Sequence, residues 1–119
     1  MAKPTIPQIL GDGSTRLASA EPAPSSGLFI PDSVFVSAGL GTPATATAEA
    51  HLVALLVTVK IYLTQLNFDA NIDQSIYVES GFTSFIQRGT DNISYRVDQP
   101  FNFNLAKIDE GITIDPTQY

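Results

Sequence analysis

From residue 69 onward, hydrophobic and polar residues alternate with the period of two that is typical of β-strands. Four segments show this alternation, and short stretches rich in glycine, asparagine, aspartate or proline separate them. The pattern predicts four antiparallel strands with one buried face each. The strand segments are Ile76 to Glu79, Phe82 to Ile86, Ile93 to Val97 and Phe101 to Leu105.

The segment from Thr47 to Leu66 carries two competing patterns. Alternation around Val57, Val59 and Ile61 suits a strand, whereas leucine and valine residues spaced by three and four, together with Thr47 as N-cap, suit a helix. A single strand from Leu52 to Phe68 would far exceed the usual ~5 to 6 residues, so we predict a helix that ends near Asn67. The residues predicted to face the sheet are Leu52, Leu55, Leu56, Val59, Leu63 and Leu66.

Two short apolar runs, Leu28 to Ile30 and Val34 to Val36, flank a Pro31-Asp32-Ser33 turn and predict extended chain. Together these patterns predict an α+β fold in which one helix packs on the face of an antiparallel sheet, within a single domain of residues 28–119. If the Thr47 to Leu66 segment were a strand, the fold would be an all-β sandwich.

Residues 1–27 contain four prolines and few large apolar side chains. Such a segment buries too little surface to offset its ordering entropy alone. It is therefore either a disordered tail or an extended N-terminal arm that lies on a neighbouring subunit. The candidate anchors of this arm are Ile6, Ile9 and Leu10.

Composition excludes several classes of function. With 119 residues, 44% of them hydrophobic, the chain can form one domain with a modest core. Its net charge of −6 argues against nucleic acid or an anionic membrane as the main partner. Cysteine is absent and His51 is the single histidine, so we expect no enzyme, no cofactor and no metal site.

Two segments of the chain bear on targeting and membrane insertion. No basic region followed by an apolar block opens the chain, so secretion through a signal peptide is not expected. The most apolar stretch, Leu52 to Val57, is far shorter than the ~18 to 20 residues that a membrane span needs.

Aromatic residues and low charge point to a protein partner. Only 15% of residues are charged, and the aromatic residues of the strand segments outnumber those that one small sheet can bury beneath a single helix. The alternative is that all of them lie in the core or are isolated exposed residues. We predict that some of them face a second copy of the chain, in a homo-oligomer such as a trimer. The partner-binding candidates are Tyr95, Phe101 and Phe103.

Short strings from Thr47 onward resemble a group of small cyanobacterial and cyanophage proteins that are associated with virions. The strings are Thr47-Ala48-Glu49, Asn67-Phe68-Asp69, Ile72 to Ile76, Tyr95 to Gln99, Asn104 to Lys107 and Ile114-Asp115-Pro116. The resemblance covers the last 73 residues, favours the helix over residues 47–66 and implies association with phage particles.

We therefore expect a non-enzymatic structural protein of a tailed-phage particle, assembled in the host cytoplasm and located in the virion. Its expected role is to decorate or cement the capsid shell, which it would bind with its compact domain and N-terminal arm. A tail, neck or baseplate component is the second interpretation. A third, from another class, is a carbohydrate- or ligand-binding module that uses Tyr77, Tyr95 and Asn102.

Overall fold

A computed structural model describes residues 2–17, 25–108, 111 and 113–119. These residues form four α-helices, three antiparallel strand pairs (β1–β2, β3–β6 and β4–β5) and single 3-10 turns at Pro43–Thr45 and Pro116–Gln118. The predicted α+β class is confirmed. The helices are α1 (Ile6–Leu10), α2 (Asp32–Ser37), α3 (Ala48–Tyr62) and α4 (Gln65–Ala70), and the strands are β1 (Thr15–Leu17), β2 (Gly27–Phe29), β3 (Ile76–Glu79), β4 (Thr83–Arg88), β5 (Ile93–Asp98) and β6 (Asn102–Leu105).

Helix α3 begins where the sequence predicts it. The Thr47 side chain accepts a hydrogen bond from the backbone N–H of Ala50, as an N-cap does. The helix ends at Tyr62, earlier than predicted, because Thr64 caps a new helix by accepting from the Asn67 backbone N–H. The Asn67 side chain in turn donates to the Tyr62 carbonyl, which stabilises the break between α3 and α4.

The core lies where the C-terminal end of α3 meets β3. Val59, Leu63 and Val78 form its buried cluster, and the Val78 backbone N–H donates to the Leu63 carbonyl. The predicted sheet-facing set of α3 is therefore only partly correct. Leu52 and Leu66 are both exposed. Leu66 lies in α4, beyond the helix break, which turns it away from the sheet.

The four C-terminal strands occupy the predicted positions but form a ribbon of two strand pairs rather than one broad sheet. Glu79 of β3 pairs with Asn102 of β6, and Thr83 of β4 pairs with Asp98 of β5. Thr83 follows Glu79 by four residues, and Asp98 precedes Asn102 by four residues, so the two strand pairs share one register. The hairpin β4–β5 therefore continues the register of β3–β6 beyond an interruption near Gly81 and Pro100. Proline cannot donate a ladder hydrogen bond, which explains the interruption.

Residues Val34 to Val36 are helical, so the prediction of extended chain is wrong there. Pro31 precedes α2, and Gly39 ends it with a positive φ of 106°. The backbone N–H groups of Gly39 and Leu40 donate to the carbonyls of Val36 and Phe35, which is the Schellman arrangement. Asp32 in the first turn and Gly39 after the last turn were the sequence signals for this helix.

The segment predicted to be an extended arm is partly folded onto the domain. A capping box between Thr5 and Gln8 caps the N-terminus of helix α1. Ile9 and Leu10 of this helix pack against the core cluster. Gly11 follows with a φ of 101°, and a Cβ there would lie within 2.6 Å of a Val34 methyl group. Strand β1 then pairs with β2, while residue 1 and residues 18–24 of the predicted arm lie outside the described residues.

Candidate assembly surface

The hairpin β4–β5 has one mainly apolar face, which also carries Ser84 and Arg88, and one mainly polar face, which also carries Phe85. Directly paired residues of an antiparallel ladder share a face, so the register assigns every side chain to one side or the other. Every residue from 82 to 100 is exposed, and no other described helix or strand packs extensively on the hairpin. We call one side the hairpin's apolar face; it carries Ile86, Ile93, Tyr95 and Val97, with Phe82 in line just before β4.

The polar face is organised around Asp98. Thr83 Oγ1 and Arg96 Nε each donate to Asp98 Oδ1 over 2.8 Å. The hydrogen bond from Arg96, followed by that from Thr83, lowers the pKa of Asp98 below its usual 3.8. This network joins β4 to β5 on the mainly polar face of the hairpin.

A pH titration of Asp98 tests this network. Because its pKa is lower in the folded state, the stabilisation is complete at neutral pH and is lost as the pH falls through the folded-state pKa. We expect an NMR titration midpoint below 3.8, raised more by Arg96→Gln than by Thr83→Val, since Arg96 is the larger cause. Identical midpoints in the three proteins would contradict the network.

Helix α3 is apolar around nearly its whole circumference. Ala54 and Val59 are buried against the chain's own elements, whereas Val53 and Ile61 are exposed. Val53, Val57 and Ile61 follow each other at a spacing of four residues, so they form one row along the helix, turned away from Val59. In soluble proteins, a helix that is hydrophobic all round is normally buried on all sides. We call this row of Val53, Val57 and Ile61, of which Val57 is half-buried, the outer face of α3.

The chain as a whole exposes more surface than a compact monomer. Its accessible surface is 8624 Å², whereas a monomeric protein of 12.7 kDa exposes about 6,200 Å². Its radius of gyration is 17.4 Å, compared with about 13.5 Å for a compact domain of 119 residues. The difference of roughly 2,400 Å² is of the size that obligate protein interfaces bury.

The structure divides the predicted partner-binding residues into two groups. Tyr95 and Phe103 are exposed, and the Arg88 guanidinium lies 5.4 Å from the Tyr95 ring centroid. Phe101 instead packs on the core, with Lys60 Nζ 5.6 Å from its ring centroid.

Of the three predicted anchors in the N-terminal segment, Ile6 is exposed, whereas Ile9 and Leu10 pack on the core of their own chain.

The sequence pattern alone does not reveal most of the hairpin's apolar face or the outer face of α3 as uncovered surfaces. It predicts Ile86, Ile93 and Val97 as buried strand residues, and it leaves Val53, Val57 and Ile61 out of the predicted sheet-facing set. Their alternation and spacing do indicate apolar faces. What the pattern lacks is any sign that one chain supplies too few elements to cover all of them.

In the part of the chain that the structure describes, residues with other chemistry do not assemble into a recognisable active site. His51 Nδ1 lies 2.8 Å from the Thr47 carbonyl oxygen, and its ring meets Phe35 edge-on at 5.2 Å. Among the described residues, no three acidic, histidine or cysteine side chains are grouped to hold a metal. Within the same residues, no helix is long and apolar enough to cross a membrane.

An open cavity of about 720 Å³ lies between the N-terminal segment and the α4–β3 connection. Lys3 Nζ donates to Ser75 Oγ there, and Asn71 Nδ2 donates to the Ala2 carbonyl. Buried Gln74 donates to two backbone carbonyls, and its Oε1 has no partner in the described part of the chain. The hydrogen bonds of Lys3 and of the Ala2 carbonyl attach the N-terminal segment to the domain.

The residues of the predicted ligand-binding face do not converge. Tyr77 lies on β3, where its ring packs at 4.8 Å against Phe68, and Asn102 lies near it on β6. Tyr95 belongs to the hairpin, on the other side of the interruption. Comparison with known proteins finds no family model, no curated protein and no solved structure that matches this chain.

Proposed function

We propose that this chain is a non-enzymatic structural subunit of a tailed-phage particle, and that it works as a homo-oligomer that decorates the capsid shell. Its task is to add protein–protein contacts to a larger assembly, which requires no cofactor. The observation that carries the proposal is the surface of 8624 Å², which exceeds the roughly 6,200 Å² of a compact monomer of this mass.

The distribution of that surface also supports assembly. The hairpin's apolar face and the outer face of α3 are two separate apolar areas, and large exposed apolar patches mark protein interfaces. The virion assignment rests on the resemblance of the strings from Thr47 onward to virion-associated proteins.

Sedimentation velocity at micromolar concentration, followed by co-sedimentation with purified particles, tests the proposal. We expect a defined oligomer that remains bound to capsids, because an interface of this size is typical of stable assemblies. Binding to isolated tails instead of capsids would assign the chain to the tail. A strictly monomeric chain that binds neither would contradict the proposal.

A further inference from the structure

We infer that the hairpin's apolar face docks on the outer face of α3 of a second copy of this chain. This inference rests on the proposed homo-oligomer and specifies its contact. It concerns two surfaces that one copy leaves wholly or partly uncovered: Ile86, Ile93, Tyr95 and Val97 on the hairpin, and Val53, Val57 and Ile61 on the helix.

The chain already contains one example of this contact. Side chains alternate along a strand, and β4–β5 keeps the register of β3–β6, so Val78 and Ile86 lie on the same side of the ribbon. At Val78 that side is covered by α3 of the same chain. At Ile86 it is not covered, because α3 ends at the level of β3. A second α3 would continue the same helix-on-ribbon packing along the hairpin.

An uncovered hairpin also needs such a partner to be stable. A two-stranded hairpin by itself is at best marginally stable in water, and one with a helix packed on its apolar face is much more stable. The amphipathic hairpin therefore requires an apolar surface, and the outer face of α3 supplies one of the same chemical character. Phe82, which is 87% exposed at the start of the hairpin, would be covered by the same contact.

The two surfaces match in length. Helix α3 has 15 residues and is about 22 Å long at ~1.5 Å per residue. Strands β4 and β5 have six residues each and are about 20 Å long at ~3.4 Å per residue. One hairpin therefore covers one helix from end to end.

Charge selects the orientation of the hairpin along the helix. Arg88 lies at the hairpin tip, Glu49 in the first turn of α3, and Lys60 in its last turn. With the tip at the N-terminal end of the neighbouring helix, Arg88 lies near Glu49; in the reverse orientation it would approach Lys60. The first arrangement pairs opposite charges at the rim of the contact, because Arg88 belongs to the apolar face through its pairing with Ile93, whereas Asp91 lies in the turn outside the ladder.

A contact between two different surfaces has a consequence for symmetry. Each copy offers one hairpin and receives another on its α3, so the contact closes either reciprocally between two copies or head to tail around a larger ring. The expected oligomer is therefore cyclic, as a trimer is.

Paired cysteine variants test this contact because the natural chain contains no cysteine. Chains carrying Ile86→Cys are co-expressed with chains carrying Val53→Cys, so that any disulfide between the two positions joins two copies. We expect this disulfide to form, because the proposed contact places the two side chains against each other and a disulfide joins Cα atoms ~4.4 to 6.8 Å apart. Ile61→Cys replaces Val53→Cys in the control and should remain unlinked, because it lies two helical turns further along α3.

The outcomes separate this inference from the proposed function. The hairpin–helix contact is overturned if an oligomer forms but Ile86→Cys links to a second Ile86→Cys, links to Ile61→Cys, or links to neither Val53→Cys nor Ile61→Cys. The proposed function stands in each of these cases. A monomer that binds no particle overturns both.

A charge-matched pair of variants gives a second measurement. Ile86→Asp places a carboxylate on the hairpin's apolar face, and Gln87→Asp places one on the polar face one residue away. We expect Ile86→Asp to weaken assembly about tenfold or more, and Gln87→Asp to leave it nearly unchanged. Equal effects would contradict the inference, and unchanged circular dichroism verifies that both variants fold.

Discussion

Replacing Leu63 by alanine is expected to lower the free energy of unfolding by about 2 to 5 kcal/mol. Leu63 is only 3% exposed and lies in the cluster with Val59 and Val78. Its carbonyl also accepts the hydrogen bond from the Val78 backbone N–H, so the residue lies where helix and ribbon are joined. Alanine would leave a cavity at this junction that the chain closes only in part, and chemical denaturation measures the loss.

Leu66→Ala is the matched control for this experiment. The two leucines share the spacing that predicts one buried helix face, but Leu66 lies beyond the helix break and is 78% exposed. Its replacement should change the free energy of unfolding by less than about 0.5 kcal/mol. Equal losses for the two variants would show that the segment continues as one helix past Thr64.

The same comparison shows how far the sequence predicts the fold. Period-two alternation located all four C-terminal strands, and the Thr47 cap located the start of α3. The helix break depended on single side chains, Thr64 and Asn67, whose hydrogen bonds outweigh a hydrophobic spacing that runs through them. Val34 to Val36 have high β-propensity but lie in a helix, since burial of Val34 against Gly11 outweighs propensity.

The candidate surface was harder to predict for a different physical reason. Periodicity indicates which residues share a face, and it located the apolar sides of α3 and the hairpin. It does not indicate whether the covering element comes from the same chain. Tyr95 and Phe103 were predicted from an excess of aromatic residues and are exposed, whereas Phe101 of the same pattern reaches the core.

Deleting residues 1–13 is expected to destabilise the domain itself. Ile9 and Leu10 pack on the core cluster, and each fully buried side chain of this kind contributes about 1.5 to 3 kcal/mol. Both are only partly buried, so we expect a loss of about 2 to 4 kcal/mol and a melting temperature lower by roughly 10 °C. The deletion also removes Gly11 from its contact with Val34, which would expose a further apolar side chain to water.

Point variants in α1 distinguish the effect of lost core packing on the melting temperature from the effect of deleting the whole segment. Ile9→Ala should lower the melting temperature measurably, whereas Ile6→Ala, on the exposed side of the same helix, should leave it nearly unchanged. If the shortened chain melts within about a degree of the full chain but fails to assemble, the segment acts as an arm for a neighbouring subunit. If the shortened chain loses both stability and assembly, then α1 is part of the scaffold that holds α3 in place. The oligomer then depends on α1, because α3 presents the surface that receives the hairpin.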